Sequence, residues 1–276
     1  AIIPHNVKLK TKGRYPKGSP EGLVVHYSVA PPTWGLECLQ YGKGAGYTFL
    51  SMNNKGQVYQ AHDIDKWGYH AGKSAWAGSK YVSSIFAGIE INCWGKIRKK
   101  GDKFYSGSRE IPASQARWFD GSKTQIKGWY QKYTTEQEES LVNLCMWLKA
   151  RNPDVFKFEN VVGHDELRAE FGLYGDKQDP GGSLSMHMPQ LRTLLHKRWS
   201  EFDATKPYKT IVLEKGDVGY AVQVLQTKLV KAGYQIEIDG KFGPITEKTL
   251  IDFQKEHGIE VDGKTDQQTW EYLYKK

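Results

Sequence analysis

The stretch Leu23-Val24-Val25-His26-Tyr27 decides the fold. A short aliphatic run rich in β-branched residues reads as a buried strand. Val161-Val162-Gly163-His164 has the same form, and in both runs a histidine closes the apolar segment. Between them, Phe86 to Trp94 alternates, which puts Ile89, Ile91 and Cys93 on one face and Glu90 and Asn92 on the other. Tyr47–Met52 and Gln57–Ala61 flank Asn53-Asn54-Lys55-Gly56, a hairpin turn signal. Thr135-Glu136-Gln137-Glu138 then opens a helix with a capping box. Leu141, Leu144, Cys145 and Leu148 follow at helical spacing until Arg151-Asn152-Pro153 stops the run. Strands and helices in this order predict an α/β fold, a mixed central β-sheet flanked by helices.

His26, His164 and Asp179 are the candidate metal ligands. Asp179 lies in Lys177-Gln178-Asp179-Pro180-Gly181, a rigid turn that can hold a carboxylate still. Two imidazoles and a carboxylate leave the fourth tetrahedral position of a zinc ion for water, the catalytic rather than the structural pattern. The two histidines are far apart in sequence, so no short motif covers the set, and a lone histidine at a strand end is more often simply packed or solvated. Asp165 adjoins His164 but should face the other way. Cys93 falls on the face opposite Glu90.

The chain has 276 residues, enough for one good core and a small second module. A hydrophobic fraction of 39% and the absence of any apolar run near ~20 residues argue against a membrane anchor. The N-terminus shows no signal-peptide pattern. Three cysteines, Cys38, Cys93 and Cys145, cannot build a disulfide framework, and folding in a reducing cytoplasm is the simpler reading. From Pro207 on there are ten Lys/Arg against eleven Asp/Glu, so the net charge of +8 belongs to the first part of the chain. That surplus can draw the protein toward an acidic polymer, a class that includes both bacterial walls and nucleic acids. The cluster Lys96, Arg98, Lys99, Lys100, Lys103 is broken by Gly101-Asp102 and reads as a solvated hairpin, so no nucleic acid is expected as a partner. Around it, Gly95 to Lys132 is too long for a simple connector. Trp118, Trp129 and Tyr130 form either a platform for a ligand or the packing of the segment onto the domain, the latter being the commoner case.

Residues 201–210 lack periodicity and carry Pro207, which predicts a linker between a domain at 1–200 and a module at 211–276. In the module, Gly216-Asp217 should start a helix with Val218, Val222, Leu225 and Leu229 on one stripe. Ile238-Asp239-Gly240-Lys241 is echoed by Val261-Asp262-Gly263-Lys264, each copy feeding a helix, the second through a Thr265/Gln268 capping box.

Six ordered segments resemble one family, the zinc N-acetylmuramoyl-L-alanine amidases, whose fold is shared by phage lysins, wall-recycling amidases and peptidoglycan recognition proteins. They are Val24–Ser28, Gly46–Leu50, Trp67–Gly72, Gly88–Asn92, Val162–Asp165 and Lys177–Gly181. The tail, through Asp239-Gly240-Lys241-Phe242-Gly243-Pro244-Ile245-Thr246 and Phe253-Gln254-Lys255-Glu256-His257-Gly258, resembles a three-helix peptidoglycan-binding module. The plain alternative is a small helical packing domain without a ligand.

The resemblance implies a monomeric, phage-endolysin-like hydrolase, made in the host cytoplasm, that cuts the amide between N-acetylmuramic acid and L-alanine of peptidoglycan through a zinc-activated water. It implies Zn2+ on His26, His164 and Asp179, with Glu90 as general base and acid. Lys177 would stabilise the oxyanion, Tyr47 would donate near the metal, and His70 and Asn92 would contact substrate. The plain alternatives are a salt-bridged Glu90, a surface Lys177, a structural Tyr47 and a hydrogen-bonded core His70. A zinc peptidase acting within the stem peptide would use the same ligands. A non-catalytic recognition protein would share the fold, but such proteins typically lack a metal ligand.

Overall fold

The structure, a computed structural model, describes residues 2–4, 11–45, 50–205, 212–218 and 220–275. The first part of the chain runs β1 (Ile2–Pro4), β2 (Gly13–Arg14), β3 (Gly22–Tyr27), α1 (Leu36–Ala45), β4 (Leu50–Met52), β5 (Val58–Gln60), β6 (Lys66–Trp67), β7 (Ala75–Trp76), β8 (Ser79–Lys80) and β9 (Phe86–Ile91). Then come β10 (Lys96–Lys100), β11 (Lys103–Ser106), β12 (Arg109–Ile111), β13 (Ala116–Phe119), β14 (Gly128–Gln131), α2 (Thr135–Arg151), β15 (Val161–Gly163), α3 (His164–Glu170) and α4 (Met188–Thr205). The tail contributes α5 (Tyr220–Lys231), α6 (Pro244–Glu256) and α7 (Gln267–Lys275).

The central sheet has the order β1-β5-β4-β9-β3-β15. β4, β9, β3 and β15 run parallel, and β5 returns antiparallel to β4 through the expected hairpin. Leu23, Val25, Ile89 and Ile91 face a core shared with Leu141, Leu144 and Leu148 of α2 and Leu191 and Leu195 of α4. Val24 and Val162 face the other side, against Phe86 and Leu167. Burial on both faces is what the unbroken aliphatic run required. The helix over 135–151 ends where Asn152-Pro153 stops it, but its cap is one residue earlier than expected. Thr134 Oγ1 accepts from Gln137 N–H at 3.1 Å, and Gln137 Oε1 accepts from Thr134 N–H at 3.0 Å.

The expected solvated hairpin is part of something larger. β10 and β11 pair across Gly101-Asp102, but they belong to a second, antiparallel sheet of order β12-β11-β10-β14-β13 inserted between β9 and α2. Its strands span three to five residues, too short for alternation to register. Of the three aromatics in question, Tyr130 is fully buried and packs the sheet onto the domain, whereas Trp118 is 47% exposed. Tyr130 and Phe119 close over the Gly181-Gly182 turn so tightly that a Cβ on either glycine would lie 2.5 Å from one of the two aromatic side chains.

The tail is three helices, as expected, but two details differ. Val218 precedes the first helix, is exposed, and bridges to Lys241. The last helix is capped by Asp266, whose Oδ1 accepts from Thr269 N–H at 2.6 Å, while Thr265 Oγ1 accepts from Leu213 N–H at 2.7 Å. Each Asp-Gly-Lys turn is pinned from inside by a buried glutamine. Gln226 Nε2 donates to Asp239 Oδ1 (2.7 Å), Lys241 O (3.1 Å) and Thr246 Oγ1 (3.1 Å), and its Oε1 accepts from Gly240 N–H (2.8 Å). Gln254 repeats the pattern with Asp262, Lys264 and Thr269, accepting from Gly263 N–H.

The expected linker begins later than Glu201, because α4 continues through Thr205. Glu201 and Ala204 are good helix formers, and propagation costs little once a helix is nucleated. Residues 206–211 lie outside the described residues. The tail is also docked: Trp147 Nε1 of α2 donates to Ile238 O at 2.9 Å, and Val222, Leu225 and Leu229 share one apolar cluster with Leu144 and Leu148. All three cysteines are buried and free. No helix among the described residues is long and apolar enough to cross a membrane.

Candidate functional site

Parallel pairing brings the ligands together. Val25 is opposite Gly163 in the β3–β15 ladder, so the next residues, His26 and His164, emerge at neighbouring strand ends. His164 is also the first residue of α3. The Pro180 turn delivers Asp179, and its carbonyl accepts from Asp165 N–H at 3.1 Å. His26 Nδ1, His164 Nδ1 and Asp179 Oδ2 then converge, with separations of 3.1, 2.9 and 3.1 Å. All three residues are at most 7% exposed.

Hydrogen bonds on the far side of each ring settle the tautomers. His70 Nε2 lies 2.9 Å from Phe86 O, which can only accept, so His70 carries its proton there. Burial, and then the neighbouring His26, lower the pKa of His70 to about 3, so the ring is neutral and its Nδ1 is an acceptor. His26 Nε2, 3.3 Å from that Nδ1, must therefore be the donor. His164 Nε2 likewise points at Ala71 O, 3.3 Å away. Both Nδ1 lone pairs consequently face the cluster. Burial pushes the pKa of His26 down. With each Nε2 committed to a partner behind the ring, two Nδ1 atoms and a carboxylate oxygen form a donor set that a cation would hold together. Their spacing is just inside the ~3.3–3.4 Å edge of a tetrahedron with ~2.0–2.1 Å bonds. The donor set fits zinc.

The ligands sit in a cleft of about 790 Å³ lined also by Tyr69, His70, Glu90, Arg168 and Lys177. Glu90 is directly opposite His26 in the β3–β9 register and so shares its face. Lys177 is exposed at the rim, two residues before Asp179. Arg168 is held by Asp176 and donates to Lys73 O at 2.5 Å.

Two expected substrate contacts are corrected. His70 reaches the cleft, but both ring nitrogens are engaged by His26 and Phe86, so it orients a ligand. Gly88 makes room for it, since a Cβ there would lie 2.6 Å from the ring. Asn92 is fully buried, and its Nδ2 donates to Trp34 O (2.5 Å) and Ser51 Oγ (3.0 Å). Asn92 keeps the Glu90 face, since Ser51 is directly opposite Glu90, but it lies beneath the surface with its amide engaged. Tyr47 lies outside the described residues. Asp165 is not a ligand. Its Oδ2 accepts from Thr124 Oγ1 at 3.2 Å, and burial raises its pKa well above the usual carboxylate value.

Comparison with known proteins gives two matches to family models, N-acetylmuramoyl-L-alanine amidase over residues 16–182 and putative peptidoglycan binding domain over residues 218–273. A probable N-acetylmuramoyl-L-alanine amidase of Bacillus licheniformis is 33% identical over 90 residues, covering 30% of this chain and 25% of that protein. The chain therefore matches about a quarter of the length of this curated relative. A fused Zn-dependent amidase/peptidase/peptidoglycan-binding protein from Clostridium acetobutylicum is 42% identical over 23% of this chain and 29% of that one, with a TM-score of 0.23. The amidase AmiD from E. coli, solved with an anhydro-N-acetylmuramic acid peptide, is 17% identical over 96% of this chain and 90% of that one, with a TM-score of 0.42. With the amidase model spanning more than half of its residues and the ligand cluster inside that span, this chain belongs to the N-acetylmuramoyl-L-alanine amidase family.

Proposed function

We propose that the protein is a zinc-dependent peptidoglycan hydrolase of the endolysin kind, cleaving the amide between the lactyl group of N-acetylmuramic acid and the L-alanine of the stem peptide. The observation that carries the reading is the meeting of two Nδ1 lone pairs and a carboxylate oxygen beside Glu90. His26, His164 and Asp179 would hold the ion. When bound, zinc supplies Lewis acidity, which polarises a carbonyl and acidifies water to a pKa of about 7. Glu90 takes a proton from the attacking water and returns it to the departing L-alanine amine. Lys177, at the rim, offers its ammonium to the charge that develops on the carbonyl oxygen. Tyr47 is assigned a supporting donor role by family resemblance alone. The domain at 16–182 cuts, and the module at 218–273 holds the chain on its insoluble substrate, raising local concentration without changing the bond-breaking step.

Digestion of purified sacculi, followed by mass spectrometry, tests this. The expected products carry a new L-alanine amine and no new sugar reducing end. Fragments cut inside the stem would replace the reading with a peptidase. Glu90→Gln should abolish release while sedimentation with walls persists, and exhaustive chelation should do the same.

A further inference from the structure

The inserted sheet has a surface that the amidase reading does not use. Residues 95–132 contain ten Lys/Arg and three Asp/Glu, a net +7 within a chain whose total is +8. Among the described residues only Lys103 of these ten has a carboxylate partner, Glu110 at 2.9 Å. Lys100 and Lys103 stand directly opposite each other in the β10–β11 ladder, a like-charge pairing that costs stability. The aromatic residues are arranged to match. Trp118 and Trp129 are opposite in the β13–β14 ladder with ring centroids 5.6 Å apart, and Trp129 is in turn opposite Ile97 of β10. Lys99 Nζ lies 5.5 Å from the centroid of Trp129, so cation and ring share one face. On the opposite face, Tyr130 and Phe119 clamp the Gly181-Gly182 turn. The sheet is thereby fixed beside Asp179, two residues away from that turn.

We propose that the aromatic and basic face of this sheet, centred on Trp118, Trp129 and Lys99 with Arg109 beside them, its guanidinium 4.8 Å from the Trp94 ring, docks a phosphodiester-linked glycopolymer of the cell wall. Charge complementarity selects the occupant. Cations without carboxylate partners fit regularly spaced phosphates better than a glycan strand whose sugars are neutral, and the exposed Trp118 indole, backed by the half-buried Trp129, fits the face of a sugar ring. The wall as the source of that polymer rests on the proposed function. The docking is separate from the zinc cleft and from the tail, and it orients the cleft along the wall surface.

The test is co-sedimentation of the metal-stripped full chain with intact walls and with walls whose phosphodiesters have been removed by cold hydrofluoric acid. Affinity should fall at least tenfold on stripping the walls and should weaken steeply with salt. The double variant Lys99→Gln, Arg109→Gln should weaken binding to intact walls at least fivefold and leave binding to stripped walls unchanged. Trp118→Ala, a single change at an exposed ring, should weaken binding in the same direction. Turnover of a soluble muramoyl-L-alanine peptide should match the parent in both variants. Undiminished binding to stripped walls, or by the double variant in its folded state, overturns the proposal, as does tighter binding to duplex DNA than to intact walls. Failure of the amidase reading is seen separately, as absence of turnover in the parent itself.

Discussion

The Nε2 of His26 lies 3.3 Å from the Nδ1 of His70, and this one contact decides which nitrogen of His26 looks into the ligand cluster. The order is Phe86 O, His70, His26 and then the ion site, each link forcing the proton position of the next. His70 therefore bears on the candidate ion site through His26.

Replacing His70 with Ala should weaken zinc affinity about 10–100-fold, the usual cost of losing a partner behind a metal-binding histidine. Competition with a chromogenic chelator reads it directly. His70→Gln, whose carboxamide can accept from His26 and donate to Phe86 O, should recover most of the affinity. An unchanged dissociation constant in His70→Ala would remove the relay.

Gln226 and Gln254 should behave as equivalent parts. Either change to Ala deletes three donated hydrogen bonds and leaves a buried glycine N–H, of Gly240 or Gly263, without its acceptor. The expected loss is about 2–3 kcal/mol for each, measured by denaturant unfolding. A loss under about 0.5 kcal/mol would mean the turns hold themselves.

The thiols should be silent in the native protein. Burial raises the pKa of Cys38 and Cys93 to about 12 and pushes Cys145 up as well. A disulfide reagent at pH 8 should label none until the chain is unfolded and then label three. These are acids whose folded pKa exceeds the unfolded value, so the unfolded chain loses protons first as pH rises. Stability is full below about pH 8.5–9 and should fall between there and about 12. Melting temperature against pH checks the sign, and replacing Cys145 with Ala should flatten the slope.

Trp147 is 4% exposed, bonds Ile238 O and is covered by the Arg151 guanidinium 5.5 Å from its ring. Trp147→Ala should cost about 3–5 kcal/mol and split a single unfolding transition into two. Calorimetry that shows two transitions in the parent would contradict a shared core.

The convergence of His26, His164 and Asp179 was legible because each belongs to a short, distinctive segment, and the paired strands that lead to His26 and His164 were visible as aliphatic runs. What escaped has local physical causes. The Thr134 cap was displaced by one residue because Thr134 and Thr135 are chemically equal, and only the fold decides which leaves the helix. Asn92 obeyed the alternation, but neighbouring elements bury it and Trp34 O and Ser51 Oγ take its amide protons, which no period in the sequence shows. The inserted sheet hid behind strands shorter than the window in which a period of two can be seen. His70 could be read as present, not as a relay, because the Phe86 carbonyl that sets its tautomer belongs to the neighbouring strand. The two glutamines did leave a trace. Each follows a buried aliphatic residue, Val222 or Leu250, by four positions, and so interrupts an apolar stripe with an amide.

On the proposed function, the Trp147–Ile238 bond would make the gripping module and the cutting domain a single caliper. Its jaws would have one opening, so each landing on the polymer mesh would present only linkages at that reach. Clearing a patch of wall would then demand repeated letting go, and slower detachment from the mesh should lower the rate at which walls are dissolved.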